Sequence, residues 1–339
     1  TRKNKRCSVE KTSYNYSIGR TQMDSTNDVI IGVVENYSWE AVGNYARSLY
    51  RSGFKGIKLM LVRNINDMAR RNLTLLGFTV VDYAYKANAQ SQPTERYSPA
   101  VDWLTPRVDS TRYVIWCDVR DLVFQSDPSL WLEKHLAPQK LLGCSEGVML
   151  YDEPINADFV KRVVSSEDYA WLINEEQLCS GTIAGEAKEM LALMKAIHDT
   201  SYTLPDFGAI RDQALLNYLI RTSPFKEVYR IVRADDAFAL QANWYMLHTR
   251  GPRTRPDPRL DMETGLAYPS GSTEPYCILH QYDRDASGWL GNFKAVVERH
   301  WSEVPDVLRE PIPVPIPVVS EPLVISRPVI TTPRRRRLR

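Results

Sequence analysis

The sequence lacks most of the features that would place a protein by composition alone. No apolar run approaches the roughly 18 to 20 residues of a membrane span, and no secretory-leader pattern follows Thr1, where the chain begins without an initiator Met. The five cysteines, Cys7, Cys117, Cys144, Cys179 and Cys277, form an odd set with no CxxC or CxxxC spacing. That indicates neither a zinc site nor a complete disulfide framework, and it favours a reducing, cytoplasmic setting. Asn-x-Ser/Thr triplets at Asn15, Asn36 and Asn72 are the opposing hint, of a secretory lumen. Charge of one sign is also missing: 25% of residues are charged, yet the net charge is +2, so the body of the chain advertises no polyanionic partner. There is no GxxxxGK[ST], GxGxxG or GxSxG, which argues against a P-loop, a simple dinucleotide fold and an α/β-hydrolase.

What is present reads as three regions. Residues 1–27 are polar and basic without periodicity, an arm. Residues 28–300 carry the regular pattern. Residues 301–339 hold Pro-Ile-Pro-Val-Pro-Ile-Pro and end in Arg334-Arg335-Arg336-Arg337, a composition that favours extended chain and attraction to an anionic surface. Within the middle region, β-branched and apolar runs predict strands at 29–34, 58–62, 78–81, 113–117, 141–145 and 276–279. Helical spacing predicts helices at 39–52, 65–76, 99–108, 187–198 and 208–221. The early β-α-β-α-β alternation implies an α/β fold: an open, mainly parallel sheet with helices on both faces.

In such sheets chemistry gathers where strands end at their carboxyl side. The run Tyr113-Val-Ile-Trp-Cys117 delivers Asp118 and, three residues on, Asp121 to that place. Hard divalent cations take oxygen ligands and bridge carboxylates to phosphates, so the pair is half of a Mn²⁺ or Mg²⁺ site. The same DxxD is also what a turn cap paired with Arg120 looks like. Further on come Arg211-Asp212-Gln213 with Asn217 in a predicted helix, and Leu279-His280-Gln281-Tyr282-Asp283-Arg284 after a short strand.

Taken in order, these segments resemble the A-type fold nucleotide-sugar glycosyltransferases, and in particular the glycogenin-like family 8 enzymes. Asp118-Val-Arg-Asp121 is similar to their DxD motif, although Arg120 stands where the second acid is usual. Asp212-Gln213-Ala-Leu-Leu-Asn217 resembles their DQ-x-x-L-N helix near the donor sugar and reaction centre. His280 resembles the histidine that completes metal coordination. Cys179-Ser180-Gly181 occupies the place of their N-[SA]-G segment, with Cys179 where Asn is usual; these small residues suit close approach to a ligand or, equally, a tight turn. The resemblance implies a metal site of Asp118, Asp121 and His280, a reaction centre at Asp212 and Gln213, and a pocket shaped by Ser180 and Gly181. It implies a nucleotide-sugar donor, UDP-linked by preference, an unidentified glycan, lipid or protein acceptor, and a lean towards retention of configuration.

Asn36 and Tyr37, at the end of the first strand, are candidates for the nucleotide, and Arg96 for a phosphate. Glu146, after the 141–145 strand, is a candidate for orienting the acceptor. No specific nucleic-acid partner is expected. The rival readings are a sugar-nucleotide nucleotidyltransferase, disfavoured by the absence of a Gly-rich basic loop after the first strand, and a non-enzymatic polyanion-binding protein acting through the tail.

Overall fold

The computed structural model describes residues 23–85, 92–204, 211–242, 258–284 and 291–309. The expected arm up to residue 22, Cys7, Asn15 and the Arg334–Arg337 cluster lie outside the described residues. The strands are β1 (Val29–Glu35), β2 (Ile57–Arg63), β3 (Phe78–Asp82), β4 (Tyr113–Cys117), β5 (Leu122–Phe124), β6 (Leu141–Met149), β7 (Glu176–Glu186), β8 (Tyr229–Val232), β9 (Ala239–Gln241), β10 (Arg259–Leu260), β11 (Ala267–Tyr268) and β12 (Ile278–His280). The helices are α1 (Trp39–Arg51), α2 (Asp67–Leu75), α3 (Gln92–Glu95), α4 (Tyr97–Leu104), α5 (Pro128–His135), α6 (Pro154–Val163), α7 (Ser166–Leu172), α8 (Ala187–Ser201), α9 (Arg211–Leu219) and α10 (Gly291–Ser302).

Seven strands form the main sheet in the order β3-β2-β1-β4-β7-β6-β8. All adjacent pairs are parallel except the two made by β7, which runs against both β4 and β6. The sheet is therefore mainly parallel, as its sequence pattern implies. Alternation along β1 feeds two cores: Val29, Ile31 and Val33 face one, Ile30 and Val34 the other. The first core is closed by α4, α6, α8 and α9, the second by α1, α2 and α5. Helices on both faces explain why β1, β2 and β4 read as unbroken apolar runs rather than alternating ones.

A second sheet, β5-β12-β9, rests with α10 on a third apolar cluster that includes Val123, Tyr276, Phe293 and Trp301. It carries the chain that follows β4 back to the carboxyl edge of the main sheet. Beyond α10, Val307 and Leu308 pack against the second core, and Arg51 donates to the Glu303 carbonyl at 2.7 Å. Packed structure thus continues through the first residues of the region read from sequence as tail.

Candidate functional site

The site is built where β4 ends. Asp118 is the first residue past the strand, and its backbone N–H donates to the Gly181 carbonyl on β7 at 2.9 Å, which fixes the carboxylate against the middle of the sheet. The chain then turns through Asp121 into β5. Because β5 pairs with β12 so that Leu122 faces His280, the register sets His280 beside Asp121. The Gln281 N–H donates to the Asp121 carbonyl at 2.7 Å, closing the corner. His280 Nε2 lies 3.5 Å from Asp118 Oδ2 and 3.3 Å from Asp121 Oδ1. One donor atom from each of the three residues falls within 4.8 Å of the others.

The chemistry of this cluster suits a divalent cation. His280 is fully buried, and its Nδ1 lies 2.7 Å from Gln241 Oε1, its neighbour across the β9–β12 pair. With that oxygen accepting, Nδ1 carries a proton and Nε2 is the nitrogen turned to the two carboxylates. Nε2 has no hydrogen-bond partner of its own. A buried, unpartnered nitrogen beside two carboxylates is a donor set in want of a cation, and two oxygens with one imidazole fit Mn²⁺ or Mg²⁺ when a ligand supplies further oxygens. Burial works against a charged imidazole here, yet Cys179, Asp121 and Asp118 around the ring outweigh it and raise the His280 pKa. Gly181 completes the fit: a Cβ there would overlap Asp118 Oδ2 and His280 Cε1, so only glycine lets β7 pass this close.

Next to the cluster lies a cavity of about 210 Å³ lined by residues including Arg96, Asp118, Glu146, Ser180, Asp212 and Gln213. Arg96, at the start of α4, spans two acids: one amino group donates to Asp118, the other to Asp212 Oδ2 at 2.6 Å. Burial opposes ionisation of Asp118, but Arg96 and His280 overcome it and hold its carboxyl well below the usual range. For Asp212 burial prevails over the same arginine, and its pKa is raised. Gln213 and Asn217, one turn apart on α9, both face β7. The Asn217 side chain accepts from the Leu178 N–H and donates to the Leu178 carbonyl, each at 2.9 Å, while Gln213 Oε1 accepts from the Ser180 N–H at 3.2 Å. The pairing of β7 with β4 stops at Cys117 and Thr182, and beyond that point α9 side chains serve the main-chain groups of Leu178 and Ser180.

The sequence-predicted residues are thus brought together unevenly. Asp118, Arg96, Glu146, Ser180, Asp212 and Gln213 line the cavity, with Asp121, His280 and Gly181 directly behind it. Arg120, half exposed, approaches Asp121 only at 3.6 Å, so the turn-cap pairing is the weaker of that residue's contacts. Asn36 is exposed, with φ of 57°, and neither it nor Tyr37 lines the cavity. Burial raises the Tyr37 phenol pKa, with Arg120 opposing and Asp118 and Asp121 adding. Glu146 is buried and accepts from the Nε2 amides of Gln177 and Gln281, the latter at 3.4 Å. Sequence reasoning missed Gln241 and Asn156, which sit on elements with no recognisable motif, and Gln177, which lies two residues before Cys179 on β7. It also gave no role to Gln281 and Arg284, although both lie within four residues of His280; Gln281 is held at φ of 60°, and Arg284 donates to Asp121 at 3.1 Å.

No family model matches the sequence. No curated protein matches it either. Solved structures do. The galactosyltransferase LgtC in complex with donor and acceptor sugar analogs is similar over 83% of this chain and 99% of its own, at 14% identity and a TM-score of 0.50. An active-site mutant of LgtC covers the same shares at 14% identity and a TM-score of 0.51. The likeness establishes the fold as the A-type glycosyltransferase fold.

Proposed function

We propose that this protein is a glycosyltransferase that moves a sugar from a nucleoside-diphosphate sugar, UDP-linked by preference, to a glycan, lipid or protein acceptor, with Mn²⁺ or Mg²⁺ held by Asp118, Asp121 and His280. The observation that carries this reading is the unpartnered, buried Nε2 of His280 facing two carboxylates beside a cavity rich in polar groups. The fold adds support, since the solved galactosyltransferase that shares it was captured with donor and acceptor sugar analogs.

A bound cation would supply Lewis-acid stabilisation of the negative charge that develops on the departing diphosphate. The remaining work falls to the chain's own residues. Gln241 fixes the His280 tautomer, and Gly181 permits the close approach that keeps the donor atoms together. Arg96 and Asp212 present a paired cation and carboxylate to the cavity, a combination suited to hydroxyl groups of a donor sugar. Gln213 offers its amide at the same wall, and Glu146 offers a carboxylate to an acceptor hydroxyl. Retention of anomeric configuration is the favoured outcome, on the strength of the Asp212-Gln213 and His280-Gln281 segments.

The test is a panel of UDP- and GDP-sugars incubated with Mn²⁺, Mg²⁺ or chelator, with release of nucleoside diphosphate as the readout. One donor should turn over with metal and not with chelator, and Asp118→Ala should lower the rate about a hundredfold or more while remaining folded. Wild-type turnover by folded Asp118→Ala, or undiminished turnover after exhaustive chelation, would contradict the proposal.

A further inference from the structure

The amide of Gln213 can be oriented without ambiguity, because its Oε1 accepts from a main-chain N–H. Ser180 N donates to that oxygen at 3.2 Å, and Ser180 Oγ lies 3.4 Å from it. A backbone N–H cannot reverse its role, so the other end of the amide is the NH₂ group. That group donates to Asn156 Oδ1 at 3.1 Å. The second amide is thereby oriented as well, with its oxygen turned to Gln213 and its own NH₂ turned away. Asn156 is the third residue of α6, half-buried, and lines the same cavity as Gln213. No motif marks it.

We propose that Asn156 is a positioning residue: it anchors the free end of the Gln213 amide and so keeps Gln213 Oε1 fixed at the wall of the cavity. The inference rests on the glycosyl-transfer reading for its effect on rate, but not for its effect on geometry. Without Asn156, the NH₂ group loses its partner and the amide can rotate about χ3, a soft torsion. Ser180 N–H then loses its acceptor for part of the time. A group near a reacting centre that wanders by an ångström lowers turnover with little change in ground-state binding.

The experiment compares Asn156→Ala and Asn156→Asp with the wild-type chain. Aspartate keeps an oxygen that accepts from Gln213 Nε2, so it should restore what alanine removes. Hydrogen exchange at the Ser180 amide, followed by mass spectrometry on short peptides, reads the anchor directly and needs no substrate. Asn156→Ala should exchange about tenfold faster at Ser180, and Asn156→Asp should stay close to wild type. With the donor identified by the nucleotide-sugar panel, kcat should fall about tenfold for the alanine variant with donor KM within about twofold, and the aspartate variant should recover to within about threefold. Wild-type Ser180 protection in Asn156→Ala would overturn the inference whatever the fate of the enzymatic reading. So would loss of protection with unchanged kcat, or an aspartate variant as impaired as alanine in both readouts. If no nucleotide sugar is turned over, the enzymatic reading fails while the exchange result still decides the anchor.

Discussion

Gly181 shows how much of the site depends on what a residue does not carry. A methyl group at this position would have to displace the Asp118 carboxylate or the His280 ring, both of which are held by further contacts. Gly181→Ala should therefore fold and lose Mn²⁺ affinity by about 10- to 100-fold, the range seen when groups supporting a metal ligand are disturbed. Calorimetric titration checks it, and unchanged affinity would remove Gly181 from the account. Gln241→Leu acts on the other side of the histidine. It removes the acceptor that holds the Nδ1 proton, and it should weaken Mn²⁺ binding over the same about 10- to 100-fold range. Asp118 and His280 are legible in sequence because a buried strand leads to each. Gln241 is not, because its importance lies in a cross-strand register that brings residues 39 positions apart in the chain side by side.

Strand β7 is the element that sequence reading handled least well, and the cause is physical. Its segment Cys179-Ser180-Gly181 carries small residues where a central strand ordinarily carries branched ones, so it reads as a turn or a ligand loop. It is in fact an interior strand of the sheet, antiparallel to both neighbours β4 and β6, and its residues are small because Asp118, His280 and α9 crowd against it. The predicted 208–221 helix appears as α9 over Arg211–Leu219, with residues 208–210 outside the described residues. Its Gln213 and Asn217 pair with the β7 backbone, so part of the DQ-x-x-L-N resemblance reflects how helix and strand are joined. Asn217→Ala would leave the buried N–H and carbonyl of Leu178 without partners and should destabilise the fold by about 3 kcal/mol. Urea denaturation tests this, and a loss below about 0.5 kcal/mol would mean that water replaces the side chain.

At the scale of the whole molecule, the early β-α-β alternation was enough to reveal an open α/β sheet. The strand order and the small second sheet were not legible, because short strands such as β5 and β9 have too few residues to show a period. Among the described residues no helix is long and apolar enough to cross a membrane. The packing of Val307 and Leu308 on the second core places the end of the folded unit beyond residue 301. A chain truncated after Glu303 should be less stable than one truncated after Arg309 by roughly 1 to 2 kcal/mol of buried apolar contact. Equal thermal midpoints for the two would show that this packing contributes nothing. The central claim, that Asp118, Asp121 and His280 form a divalent-cation site serving a nucleotide ligand, is most directly tested by titrating Mn²⁺ into the protein with UDP present and following the free-ion paramagnetic resonance signal. The account predicts one tightly held equivalent in the wild-type chain and its loss in folded Asp118→Asn and His280→Ala variants; one equivalent retained by both variants would contradict it.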